Sequence, residues 1–180
     1  MLIDIYDKQH NYIDEFEGFC YQNCILQILE YYKIENAQLL INTVPDLIFK
    51  YNVQNKSEYE FSFHDNANSV LPQYIKNISL HVPEQSDIMD VFNENLKLVE
   101  AKIPLITFVD VYHLDYTYLY KKNHASHTCI FCGQKKPEEI YVVDWYSPWF
   151  YKGKINKANF IEARRSENPE DGFIYSGTPM

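Results

Sequence analysis

Apolar residues recur along this chain in two rhythms, and the order of those rhythms sets the expected fold. In FCYQNCILQILEYY, Cys20, Cys24, Ile28 and Tyr32 repeat every four residues, with Ile25 and Leu29 beside them. That spacing predicts an amphipathic helix beginning close to Cys20, with Gly18 marking a turn before it. A second, shorter helix is expected over roughly 35–41. The stretch 46–80 mixes strand-like runs (DLIFKY, YEFSF) with polar turns. Ser86 is suited to cap a helix reaching about Val99, with Ile88, Met89, Phe92, Leu96 and Val99 on one face. PLITFVDVY, SHTCIFC and EIYVVDW then follow a different pattern. They are rich in β-branched and aromatic residues and read as buried strands, the last two joined by a polar loop over 133–138. A further strand is expected from Trp149 to Ile155, a helix from about Lys157 to Arg165, and GFIYSG is expected to close the sheet. A helix first and an antiparallel sheet later is an α+β order.

Composition narrows the class. A chain of 180 residues, 46% hydrophobic and 23% charged, fits one folded domain over 1–180 and can bury a core without staples. The net charge of −9 argues against a nucleic-acid partner, which needs a basic stripe. No apolar run approaches the roughly 20 residues that span a bilayer. The first residues carry acids and no positive region before an apolar stretch, so no signal peptide is read and a cytoplasmic location is expected. Aromatics make up 16% of the chain, suited equally to a core or a substrate groove.

The candidate chemistry starts from the cysteines. A cysteine nucleophile works as a thiolate, and a helix N-terminus favours that state through its unpaired N–H groups. Cys20 sits where the first helix starts; Cys24 lies one turn further in and reads as core. Asp14, Glu15 and Glu17 precede Cys20 and would oppose its ionisation if close. The bland alternative is an ordinary buried thiol. A base and an orienting carboxylate would change that reading. If the loop runs over 133–138, Cys132 pairs with Glu139, and stepping outward puts His127 opposite Asp144. An aspartate ending an apolar strand needs a partner, and His127 is suited to be one. A register shift of one would put the two on opposite faces. His124 falls before the strand and is expected to be exposed or to line a substrate entrance. A zinc site from Cys20/Cys24, His124/His127 and Cys129/Cys132 fits less well. Cys129 and Cys132 are an odd number of residues apart in a strand, with Ile130 and Phe131 where a knuckle needs turn residues. Neither a metal nor another cofactor is called for.

A Cys at a helix start, a His at a strand start and an Asp on the next strand follow the order of papain-like enzymes. CYQNCILQILEYYKI, ITFVDVYHLDYTY, HASHTCIFCG and IYVVDW together resemble the N-terminal domain of butirosin biosynthesis protein H and its relatives. The likeness is densest from Pro104 to Trp145 and patchy between about Ala37 and Ser86. It implies a papain-like cysteine peptidase fold, with the nucleophile helix packed on an antiparallel sheet. It implies an acyltransferase that takes an acyl group from a carrier-protein thioester to an amine, in non-ribosomal peptide or aminoglycoside antibiotic pathways. Relatives often carry a second, largely helical domain that these residues do not include. KIEN stands where a Gly-rich turn is usual. No Gln or Asn lies at the papain-type distance before Cys20; Gln9 and Asn11 are the nearest, and Gln22 and Asn23 lie in the helix.

On this reading Cys20 attacks the acyl carbonyl, His127 is the base, Asp144 orients it, and the Cys20 N–H helps hold the oxyanion. Asp110, His113 and Tyr116 would shape the acceptor site, although the same segment also reads as an ordinary aromatic loop. Two other readings share these residues: hydrolysis by the same triad, as a peptidase, amidase or thioesterase, and a non-catalytic binding module.

Overall fold

The computed structural model describes residues 2–3, 20–35, 47–51, 59–63, 87–146, 149–168 and 173–174. The periodicity after Gly18 forms helix α1 (Cys20–Tyr31), which buries Cys24, Ile25, Leu26 and Leu29. It ends where Lys33 takes a left-handed φ of 57°. There the N–H of Ile34 bonds the Leu29 carbonyl at 3.0 Å and that of Lys33 bonds Glu30 at 2.8 Å. These two bonds satisfy carbonyls that a helix end leaves open. The helix expected over 35–41 lies outside the described residues. DLIFKY and YEFSF form an antiparallel hairpin, β1 (Leu47–Tyr51) and β2 (Tyr59–Phe63).

Helix α2 (Ile88–Glu100) starts one residue later than Ser86 would dictate, because Asp87 is its cap. The Asp87 carboxylate accepts from the Met89 N–H at 2.7 Å. Strands β3 (Leu105–Asp110), β4 (Ser126–Lys136), β5 (Glu139–Asp144) and β6 (Tyr151–Asn156) form one sheet, antiparallel and in chain order. A short 3-10 turn, Val111–His113, follows β3. Helix α3 (Lys157–Arg165) leaves β6 directly, with Asn156 accepting from Ala158 N–H at 2.8 Å. Of the segment GFIYSG, expected to close this sheet, the described residues Phe173–Ile174 form β8 and pair instead with β7 (Glu167–Asn168). The class is thus α+β, built, among the described residues, on a four-stranded antiparallel sheet and three helices.

Alternation along β3 and β4 assigns the helices to faces. Phe108 and Thr128 are paired and share one face. Tyr21 of α1 stacks on Phe108, and Cys24 bonds Thr128. Phe131 points the other way, where it meets Phe92 of α2 and Phe160 of α3. Helices therefore cover both faces, which is why β3 reads as a continuous apolar run. Past the end of β3 the free edge of β4 is taken by the N-terminal residues: Leu2 bridges Gly133, and the Ile3 N–H bonds the Cys132 carbonyl at 2.9 Å. No helix among the described residues is long and apolar enough to cross a membrane.

Candidate active site

The β4–β5 hairpin brings His127 and Asp144 together, by a register other than the expected one. β4 does not stop at Cys132 but runs to Lys136, and the turn is only Pro137–Glu138. Register slips at two bulges, one around Cys132 and one around Lys135. Gly133 takes a φ of 116° at the first of them. Ile130 pairs with Val143, which sets Asp144 level with Cys129 and not with His127. The offset from expectation is two residues, so the side chains keep a common face and meet as diagonal neighbours.

His127 Nε2 lies 2.8 Å from Asp144 Oδ2, and both side chains are buried. The same carboxylate oxygen accepts from Tyr116 Oη at 2.7 Å and Trp149 Nε1 at 2.8 Å. Tyr146 and Trp149 stand edge-on to the imidazole at 5.0 and 5.3 Å between ring centroids. They wall the ring from water. With Nε2 donating to Asp144, Nδ1 is the nitrogen left for Cys20.

Cys20 is half-buried at the first residue of α1, where His127 and Thr128 act on its thiol. Burial opposes its ionisation, but the hydrogen bond and charge of His127 and the bonds from Thr128 win, so its pKa falls below the ordinary 9.0. Burial pulls His127 down, and the Asp144 charge and hydrogen bond, with Cys20 behind them, raise it to about 9. The two shifts move in the directions that favour a thiolate–imidazolium pair. Cys24, one turn along and fully buried, is pushed well up by burial and by Asp144. Burial also pushes up Cys129. The sequence distinction between Cys20 and Cys24 is therefore visible in their surroundings.

The segment from Asp110 to His124 supports the site more than it lines it. Asp110 is fully buried and has four donors. Oδ2 meets His124 Nδ1 and Ser166 Oγ, each at 2.6 Å; Oδ1 accepts from the N–H groups of Tyr112 at 3.0 Å and Ala125 at 3.2 Å. Asp110 holds His124, which is 30% exposed and stacked on Tyr112. His113 has Nδ1 at 3.5 Å from Lys121 Nζ, and burial lowers its pKa. Tyr116 turns its hydroxyl inward to Asp144. Asn23 gives its amide to the Trp145 carbonyl at 2.8 Å, which ties α1 to the end of β5. Gln9, Asn11, Asp14, Glu15 and Glu17 lie outside the described residues.

Three contributors escape sequence reasoning: Tyr116 as an Asp144 donor, Trp149, and Thr128. The only available signal was that a carboxylate at the end of an apolar strand demands several donors. Among the described residues no three His, Cys, Asp or Glu side chains converge as a metal ion would require. Neither a protein-family model nor a curated protein matches the chain.

Proposed function

We propose that this protein is a papain-like cysteine acyltransferase that carries an acyl group from a carrier-protein thioester to an amine, in secondary-metabolite biosynthesis. The observation that carries the catalytic part is the buried His127–Asp144 pair, its imidazole walled by aromatic rings and lowering the pKa of a thiol at a helix start, Cys20. The resemblance to the butirosin biosynthesis protein H domain supplies the donor and acceptor classes.

The Cys20 thiolate attacks the thioester carbonyl. The N–H groups at the start of α1 point toward the developing oxyanion. The carbon–sulfur bond to the carrier breaks, and the departing thiolate takes the proton from the His127 imidazolium. An amine then attacks the acyl-enzyme and gives its proton to neutral His127. The bond to Cys20 breaks, and the thiolate–imidazolium pair is restored. Asp144 holds the ring through both steps and stabilises its charged form.

Intact-mass measurement after incubation with an acylated carrier protein tests this. The parent is expected to gain one acyl group and Cys20→Ala none; an adduct that survives the substitution overturns the assignment. Adding amines separates transfer, seen as amide product, from hydrolysis, seen as free acid only.

A further inference from the structure

We infer that Thr128 is a further catalytic residue of the Cys20 centre: its hydroxyl, aimed by the buried thiol of Cys24, donates a hydrogen bond to the Cys20 sulfur. This rests on the reading of Cys20 as the nucleophile. It adds a source of thiolate stabilisation that does not pass through His127.

The backbone prepares the site. Along β4, N–H and C=O groups point alternately to β3 and to β5. The Val111 N–H bonds the Ala125 carbonyl at 3.1 Å, and the Thr107 hydroxyl bonds the Cys129 carbonyl at 3.1 Å, so odd-numbered residues face β3. Thr128 therefore presents its N–H on the β5 side. β5 ends at Asp144, level with Cys129, so no strand partner stands beside Thr128 there. The start of α1 fills that place, held by Asn23 on the Trp145 carbonyl. Cys20, one turn before Cys24 on the helix face that meets Thr128, is thus set beside the strand N–H that β5 would otherwise have taken and beside the Thr128 hydroxyl, and both favour its ionised form.

The hydroxyl has one proton and must be pointed. Cys20 and Cys24 lie four residues apart on one face of α1, with Thr128 against that face. The Cys24 Sγ donates to Thr128 Oγ1 at 3.8 Å. Cys24 keeps its proton, because burial and nearby Asp144 push its pKa far up. A hydroxyl that accepts from Cys24 has its own proton free for Cys20. Thr128 is 1% exposed, so water does not compete for that proton. Its β-branched side chain is stiff, which holds the arrangement. Among the described residues, the titratable groups facing Cys20 are His127 from β4, Cys24 from its own helix and Tyr146 after β5. Of these only His127 is charged near neutrality, so an effect of Thr128 is separable from it. Cys24 is a positioning residue that acts through Thr128.

The test follows alkylation of Cys20 by iodoacetamide against pH in the full chain, counted by intact mass, with Cys20→Ala as control. Thr128→Val keeps shape and backbone N–H and removes the hydroxyl. It is expected to move the inflection up by about one pH unit and slow alkylation at pH 6 about tenfold. Thr128→Ser restores the parent rate to within about twofold, since it keeps the donor. Cys24→Ala slows alkylation about threefold alone and adds nothing in the Thr128→Val background. An unmoved inflection in Thr128→Val, or a full Cys24→Ala effect in the double variant, overturns the proposal. If Thr128→Val does not fold, an unchanged inflection in Cys24→Ala overturns it instead. A fast-reacting thiol that persists in Cys20→Ala sinks the nucleophile assignment, a result distinct from either.

Discussion

Among the described residues Asp144 is bonded through a single oxygen, and that detail organises the chemistry around it. Oδ2 takes His127, Tyr116 and Trp149 together, which fixes the imidazole tautomer and the ring plane. Asp144→Asn keeps the size but loses the charge that raises His127. Acyl transfer is expected to fall by about 10²–10⁴. The parent pH–rate profile should rise as Cys20 ionises, below 9.0, and fall as His127 loses its proton near about 9. In Asp144→Asn the descending limb should move to lower pH; a limb that stays put means Asp144 does not hold the imidazolium. Tyr116→Phe removes a buried donor to a charge and should cost about 1.5–3 kcal/mol in urea unfolding. It should leave the alkylation of Cys20 measurable, because Trp149 and His127 still hold the carboxylate. At this scale the sequence was legible only for groups with distinctive chemistry. Cys20, His127 and Asp144 could be nominated, whereas Thr128 reads as any β-branched strand residue. The donors Tyr116 and Trp149 are set by long-range packing.

Elements were easier to read than their edges. α1, β3, the cores of β4 and β5, and α3 follow from periodicity and composition. The β4–β5 register did not, because two bulges inside β4 absorb residues that a loop was expected to hold. Backbone slips of this kind leave little mark on the hydrophobic pattern. The backbone that closes two of the helices leaves little mark for a related reason. α1 and α2 close on Lys33 and Lys102, with φ of 57° and 68°, where glycine would be the usual choice. Their sequences carry no stop signal. A left-handed conformation costs a residue with a Cβ about 1–2 kcal/mol. Lys33 is exposed, so Lys33→Gly is expected to raise stability by about 1 kcal/mol, read from the urea midpoint at constant slope.

Across the whole molecule, two buried ionic groups on opposite terms decide how the layers hold. Asp110 joins the end of β3, the approach to β4 and the residue after α3 through Ser166. Burial raises its pKa, and the bonds from His124, Ser166 and two N–H groups lower it further, for a net value below 3.8. A depressed carboxylate contributes stability that is fully present above its unfolded value and lost as pH falls through the folded one. Unfolding free energy should therefore hold steady toward neutrality and drop below about pH 4. Asp110→Asn should be less stable at pH 7 and show a weaker drop in acid. Arg164 is the reverse case. It is 2% exposed, its Nε and Nη2 have no hydrogen-bond partner among the described residues, and burial brings its pKa down to about 10. Arg164→Met should raise stability by about 1–3 kcal/mol in the same measurement.

The bulges in β4 also bear on which changes of length the hairpin tolerates. Both lie between the Pro137–Glu138 turn and the segment that holds His127, Thr128 and Cys129. A single residue gained or lost at the turn can be taken up there, leaving the facing of His127 and Asp144 untouched. The same change placed between Cys129 and Phe131 has no such buffer and turns the histidine to the opposite face. Variation in length along this lineage should therefore collect beyond Phe131, with an unbroken span from His127 to Phe131 even where the residues themselves have diverged.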